Sequence, residues 1–186
     1  MSSRPRDIDF RPIGPQHFHM LWEWTRRPHV EPWWAHWMPA TEVEATKEWQ
    51  AQVDGTSPER GFLITLDGAE IGYIQSYRLN DEAEMRETIA LGEDAVAADL
   101  YIADPDLIGQ GLGPAIVGRF YLRMMDETGL EVGIIDPEVN NHSAIRAYEK
   151  AGFTALRVVH YPDSREGDYI MKATRADIER ALGLTL

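Results

Sequence analysis

Apolar residues recur along this chain in two periods, and the switches between the periods outline its elements. Ile8 and Phe10 alternate with Asp9 and Arg11 as a short strand, whereas Met20, Leu21 and Trp24 fall at helical spacing within residues 16–26. Thr41 and Glu44 form a capping box that opens a helix running toward Val53. Residues 61–66 and 70–78 read as strands joined at Asp67-Gly68, a strong hairpin signal. The stretch 96–102 is an apolar-rich strand, and Ile116, Val117, Phe120 and Met124 give the next helix its buried stripe. Residues 132–135 form a short buried strand, and a helix follows Asn141 until Gly152 ends it in the left-handed conformation. Phe153, Ala155, Val158 and Val159 then stand against Thr154 and Arg157 in a strand, with a last strand at 169–171 and a terminal helix at 175–182. A parallel crossover links 96–102 to 132–135, so the expected class is α/β (α+β): a mixed sheet with helices on both faces. Residues 79–95 hold Asp81, Glu82, Glu84, Glu87, Glu93 and Asp94 against only Arg86, which suits a polycationic partner and equally reads as a solvated acidic loop.

The turn Gly109-Gln110-Gly111-Leu112-Gly113 lies between an apolar-rich strand and a helix. Its amides, chiefly those of Gln110, Gly111 and Gly113, converge where the helix dipole is positive and suit a phosphate, although Pro114 removes one donor. The spacing is neither that of a dinucleotide fingerprint nor that of a P-loop, which requires Gly-Lys-Ser/Thr. Asn141 and Tyr148, seven residues apart, share one helical face with Ala144 between them.

The loop and the later Asn-Asn-His-Ser-Ala-Ile-Arg-Ala-Tyr-Glu-Lys-Ala-Gly-Phe segment (140–153) together resemble the GCN5-related N-acetyltransferase (GNAT) superfamily. Leu21-Trp22-Glu23-Trp24, Val30-Glu31-Pro32-Trp33-Trp34, residues 67–77 and residues 99–113 are similar to aminoglycoside 6'-N-acetyltransferases in the same order. The resemblance covers about residues 10–171. It implies one GNAT-fold acetyltransferase domain over residues 1–186, with acetyl-CoA as donor and a primary amine of a cationic small molecule, such as an aminoglycoside, as acceptor. Ile108, Gly109, Gln110, Gly111, Leu112 and Gly113 would take the pyrophosphate. Asn141, Ala144 and Tyr148, with Leu100, Tyr101 and Ile102 of the preceding strand, would line the pantetheine and thioester. Two departures are visible. Ile108 stands where an Arg or Gln often heads the loop, and residues 79–95 hold no aromatic where aminoglycoside enzymes carry tryptophan.

Acyl transfer to an amine requires a base, a polarised carbonyl and an acid for the leaving thiolate. Asp99 interrupts an apolar strand at the position of the base in the aminoglycoside enzymes, while alternation alone also admits a strand-edge Asp in solvent. Tyr148 keeps its phenolic proton at neutral pH and suits the acid role; a core tyrosine with a satisfied hydroxyl is the other reading. Asn141 suits both a pantetheine contact and a helix N-cap. A backbone N–H in the strand of Leu100–Ile102 is expected to polarise the carbonyl. Trp33, Trp34, Gln75, Tyr77 and Asp99 are candidate acceptor contacts, although tryptophan clusters also serve as core.

Composition sharpens the picture only in part. With 18 Lys+Arg against 31 Asp+Glu the formal charge is −13, which disfavours nucleic acid and anionic membranes and favours cationic partners. The chain has no Cys, so direct transfer is expected rather than a cysteine acyl-enzyme, and no His/Glu spacing suggests a metal. There is no leader-like or membrane-spanning apolar run, so a cytoplasmic protein, monomer or homodimer, is expected. Two other functions fit the motifs: a siderophore-type acyltransferase acting on a hydroxylamine or lysine-derived amine, and a non-catalytic acyl-CoA-binding module.

Overall fold

The computed structural model describes residues 6–34, 36–161 and 166–184. The expectation about a leader rests partly on residues 1–5, which lie outside the described residues. Seven strands form one sheet in the order β1-β2-β3-β4-β5-β7-β6: β1 (Ile8–Pro12), β2 (Arg60–Leu66), β3 (Ala69–Arg78), β4 (Val96–Ile102), β5 (Val132–Ile135), β6 (Thr154–Val159) and β7 (Asp168–Thr174). β1 and β2 run antiparallel and β4 and β5 parallel, so the sheet is mixed, as the alternation of elements requires. The helices are α1 (Phe18–Thr25), α2 (Glu31–Trp34), α3 (Glu42–Asp54), α4 (Ala83–Ile89), α5 (Leu112–Thr128), α6 (His142–Lys150) and α7 (Arg175–Ala181). Backbone contacts divide the chain into two compact units, Met1–Gln75 with Asp99–Ile108, and Ser76–Ala98 with Gly109–Leu186.

In the first unit, α3 begins at Thr41, whose hydroxyl accepts from the Glu44 amide, and closes on Gly55 in the left-handed conformation. β2 and β3 are joined by Asp67 and Gly68 at φ +50° and +87°, a tight turn whose twist matches that of the strands. Phe18, Leu21, Trp24, Trp49, Leu63, Tyr73 and Tyr101 pack into one apolar cluster that seats α1 and α3 on the strands. Gly72 is required by close approach. A Cβ there would overlap the Tyr101 carbonyl oxygen and sit 3.1 Å from the Ile102 Cα, both backbone atoms that cannot yield.

In the second unit, α5 turns Ile116, Val117, Phe120, Tyr121 and Met124 inward, all fully buried. The Tyr121 hydroxyl donates to the Ile134 carbonyl, and its ring meets Phe153 edge-on at 4.9 Å. Two expectations change here. Residues 79–95 are not simply a loop, because Leu79, Met85 and Ile89 give α4 enough apolar contact to hold a short helix. Two of that stretch's acids are already engaged, Asp94 by Arg78 at 2.5 Å and Glu93 by Lys172 at 2.6 Å. β6 does not alternate cleanly, since a bulge between Ala155 and Arg157 interrupts its register and Leu156 and Val158 lie exposed at the sheet edge.

Asp136, directly after β5, is half-buried, accepts from the Tyr161 hydroxyl at 2.9 Å and feels the charge of Asp168. Burial above all pushes its carboxyl up to about 6, from an ordinary 3.8. Between those values the folded chain holds a proton that the unfolded chain releases, so this group's contribution declines as pH rises through the window. Asp136→Asn, which keeps an acceptor for Tyr161, should therefore gain stability on the parent as pH goes from about 4 to 6 in denaturant titrations. In the first unit, Gly72→Ala should cost about 1–3 kcal/mol in the same assay through overpacking against backbone.

Candidate active site

The chemistry-bearing face of the first unit is built from one side of β3 and β4. Tyr73 and Gln75 project from β3 on the side where Asp99 and Tyr101 project from β4, as their contacts show. Trp34 closes the aromatic part, edge-on to Tyr101 at 4.8 Å and to Tyr73 at 6.0 Å, while Tyr73 and Tyr101 are 5.7 Å apart. Trp34 is partly buried against the apolar cluster, whereas Trp33 and Trp37 are exposed.

The polar part is a closed network. The Tyr73 hydroxyl lies 2.9 Å from Oε1 of Gln52 and 2.9 Å from Oε1 of Gln75, sharing one proton between two acceptors. Gln75 Nε2 donates to Glu59 Oε1 at 3.3 Å and to Asp99 Oδ2 at 3.1 Å, which uses both of its protons. Gln52 Nε2 donates to Glu59 Oε2 at 3.1 Å and to Gln75 Oε1 at 3.2 Å. Burial pushes the Tyr73 phenol well above its ordinary range, so it remains a donor. Burial raises Tyr101 likewise, and its hydroxyl has no hydrogen-bond partner among the described residues.

The end of β4 is held from outside the sheet. Arg27 Nη1 donates to the Ala103 carbonyl at 2.6 Å, and His29 Nε2 lies 3.1 Å from the Ile102 carbonyl. No pattern in the chain marks His29 for a role; its ring ties the end of the strand that carries Asp99. Gln52, Glu59 and Tyr73 were also missed. Gln52 had a readable signal, since it continues the buried stripe of Ala45 and Trp49 in α3 as a polar side chain. Glu59 had none, lying in the irregular segment directly before β2.

In the second unit, Gly109 and Gly111 hold φ +76° and +77°, and a Cβ at either would meet no atom within 4 Å. Backbone conformation rather than crowding within the protein therefore requires glycine there. Gly111 is the N-cap of α5 and offers no side-chain acceptor, so the opening amides of this 17-residue helix are left uncapped. Leu112 is buried and anchors the loop, Gln110 is exposed, and Gly113 approaches Ala147 of α6 closely enough that its Cβ would lie 3.2 Å away. Ile108, grouped with the first unit, is 46% exposed. On α6, Asn141 Oδ1 accepts from the Ala144 amide at 3.2 Å, which establishes the cap reading, and Tyr148 is buried two turns on.

Leu100 and Ile102 are half-buried on the side of β4 opposite Asp99 and Tyr101. Tyr77, expected with Gln75, instead packs in the second unit's core with its hydroxyl 3.3 Å from Met85 Sδ. Among the described residues no group of three or more His, Asp or Glu could hold a metal, and no helix is long and apolar enough to cross a membrane.

An uncapped glycine turn before a long helix, a capped helix carrying a buried tyrosine, and a mixed sheet are the parts of one known architecture. The chain belongs to the acetyltransferase (GNAT) family, whose domain model matches residues 15–161. It is an acetyl-CoA-dependent N-acetyltransferase. The chain is 28% identical over 162 residues to aminoglycoside N(6')-acetyltransferase type 1 of Klebsiella pneumoniae, covering 87% of this chain and 80% of that protein. Among solved structures it is similar to AAC(6')-Ib in complex with coenzyme A and kanamycin, with a TM-score of 0.78, 28% identity and coverage of 94% and 98%. A Bacillus halodurans protein has a TM-score of 0.84 at 21% identity, covering 96% of this chain and 89% of that one, a likeness of fold.

Asn141→Ala should lower the unfolding free energy by about 1 kcal/mol, and Asn141→Ser should restore most of it, as measured by denaturant titration.

Proposed function

We propose that the protein acetylates a primary amine of a cationic small molecule, with aminoglycosides the nearest named class, by direct transfer from acetyl-CoA. The observation that carries this reading is the Asp99 carboxylate, half-buried on the aromatic face of β4 and held by the Gln75 amide. Relatives named as aminoglycoside acetyltransferases, one of them solved with kanamycin, support the acceptor class.

In this reading the amides of Gln110, Gly111 and Gly113 hold the pyrophosphate at the uncapped start of α5. Asp99 accepts a proton from the acceptor ammonium, directly or through water, and frees its lone pair to attack the thioester carbonyl. A main-chain N–H of the Leu100–Ile102 strand steadies the oxyanion. As the carbon–sulfur bond breaks, Tyr148 gives its phenolic proton to the departing thiolate, and the proton shed by the new amide nitrogen restores the phenol. Trp34, with Trp33 at the rim, offers aromatic surface to a sugar ring. The chain works as one acetyltransferase domain in the cytoplasm, as a monomer or homodimer, without nucleic acid or membrane partners, and an aminoglycoside acceptor would make it an antibiotic-resistance enzyme.

Purified protein with acetyl-CoA and a panel of aminoglycosides, polyamines and lysine derivatives, followed by thiol release, tests this. Acceptor-dependent release with aminoglycosides is the expected outcome. Release only with lysine derivatives would favour the siderophore-type reading, and coenzyme binding without release the binding module. Asp99→Asn and Tyr148→Phe should each lower kcat by about 10²-fold or more with coenzyme affinity near that of the parent.

A further inference from the structure

We propose that Glu59 is a second ammonium site of the acceptor pocket, so that the acceptor is a di- or polyamine presenting one ammonium to Glu59 while its reacting amine stands at Asp99. The inference rests on the acetyltransferase reading above and adds to it a specificity-determining residue and a charge requirement.

The geometry is set by a single atom. Gln75 Nε2 lies 3.3 Å from Glu59 Oε1 and 3.1 Å from Asp99 Oδ2, so those two oxygens are no more than about 6.4 Å apart. One small polyamine can therefore answer both carboxylates. Glu59 is held entirely by neutral groups: Gln52 Nε2 and Gln75 Nε2 donate to its carboxylate, and its own amide donates to Ser57 Oγ at 3.2 Å. No Lys, Arg or His among the described residues pairs with it. A half-buried carboxylate with only neutral partners is primed for a cation from solution.

An independent observation points to the same face. The Tyr101 hydroxyl is buried, has no partner among the described residues, and lies near enough to Tyr73 to oppose that phenol's ionisation. It projects beside Asp99 as a donor and acceptor that the protein itself leaves unused. The electrostatics agree, for Glu48 on α3 is raised by partial burial and then by the charges of Glu59 and Glu44, the mark of a locally negative field.

Methyl glycosides of 2,6-diamino-2,6-dideoxyglucose and 6-amino-6-deoxyglucose differ by one ammonium and separate this role from a structural one. The parent should prefer the diamine. Glu59→Gln should lower the diamine-to-monoamine ratio of kcat/KM about tenfold or more, through KM, and Glu59→Asp should recover part of it. Melting and coenzyme binding of each variant certify that it is folded; if Glu59→Gln is not, the Glu59→Asp ratio decides, and it should lie below the parent's. A ratio unchanged in the folded variants, or equal losses on both sugars, overturns the proposal while leaving the acetyltransferase reading intact. Absence of parent turnover on every acceptor of the panel overturns both.

Discussion

The face shared by β3 and β4 depends on one side-chain amide, for Gln75 holds the carboxylates of Asp99 and Glu59 together with neutral protons. An arginine in that place would fix Asp99 while setting a positive charge against it. A glutamine fixes it with one neutral proton and spends the other on Glu59. The arrangement works only because the amide oxygen of Gln75 is answered in turn by Tyr73 and Gln52. Satisfied networks of this kind are rigid, because a buried polar group that loses its partner costs more than a satisfied one contributes.

Much of the scaffold was legible because it rests on local rules. The Asp67-Gly68 turn, the Thr41 cap, the inward stripe of α5 and the two positive-φ glycines of the loop are each dictated within a few residues. The family resemblance followed from two such local segments. What could not be read was long-range. Glu59 and Gln75 are sixteen residues apart, and Gln75 and Asp99 twenty-four, with no period linking them. Nor could alternation tell that Tyr77, two residues beyond Gln75 on the same strand, would be claimed by Met85 and the apolar cluster around Ile89. α4 escaped notice because its seven residues carry too few apolar positions to display a period.

The acidic surplus likewise divides under inspection. Some of it is structural: Asp94, Glu93 and Asp177 are spent on Arg78, Lys172 and the opening of α7. The carboxylates with neutral partners are fewer and more telling than the net charge of −13, since paired charges produce little field beyond their own neighbourhood.

The glycine that opens α5 has a final consequence. Gly111 gives the opening amides of α5 no side-chain acceptor, so on the proposed reading a pyrophosphate held there by the folded form alone would add RT ln(1 + [L]/Kd) to its stability. The resting protein is accordingly the more fragile species. Its resistance to heat and to proteolysis in a cell would rise and fall with the supply of coenzyme, tying the enzyme's lifetime to the metabolic state that feeds its reaction.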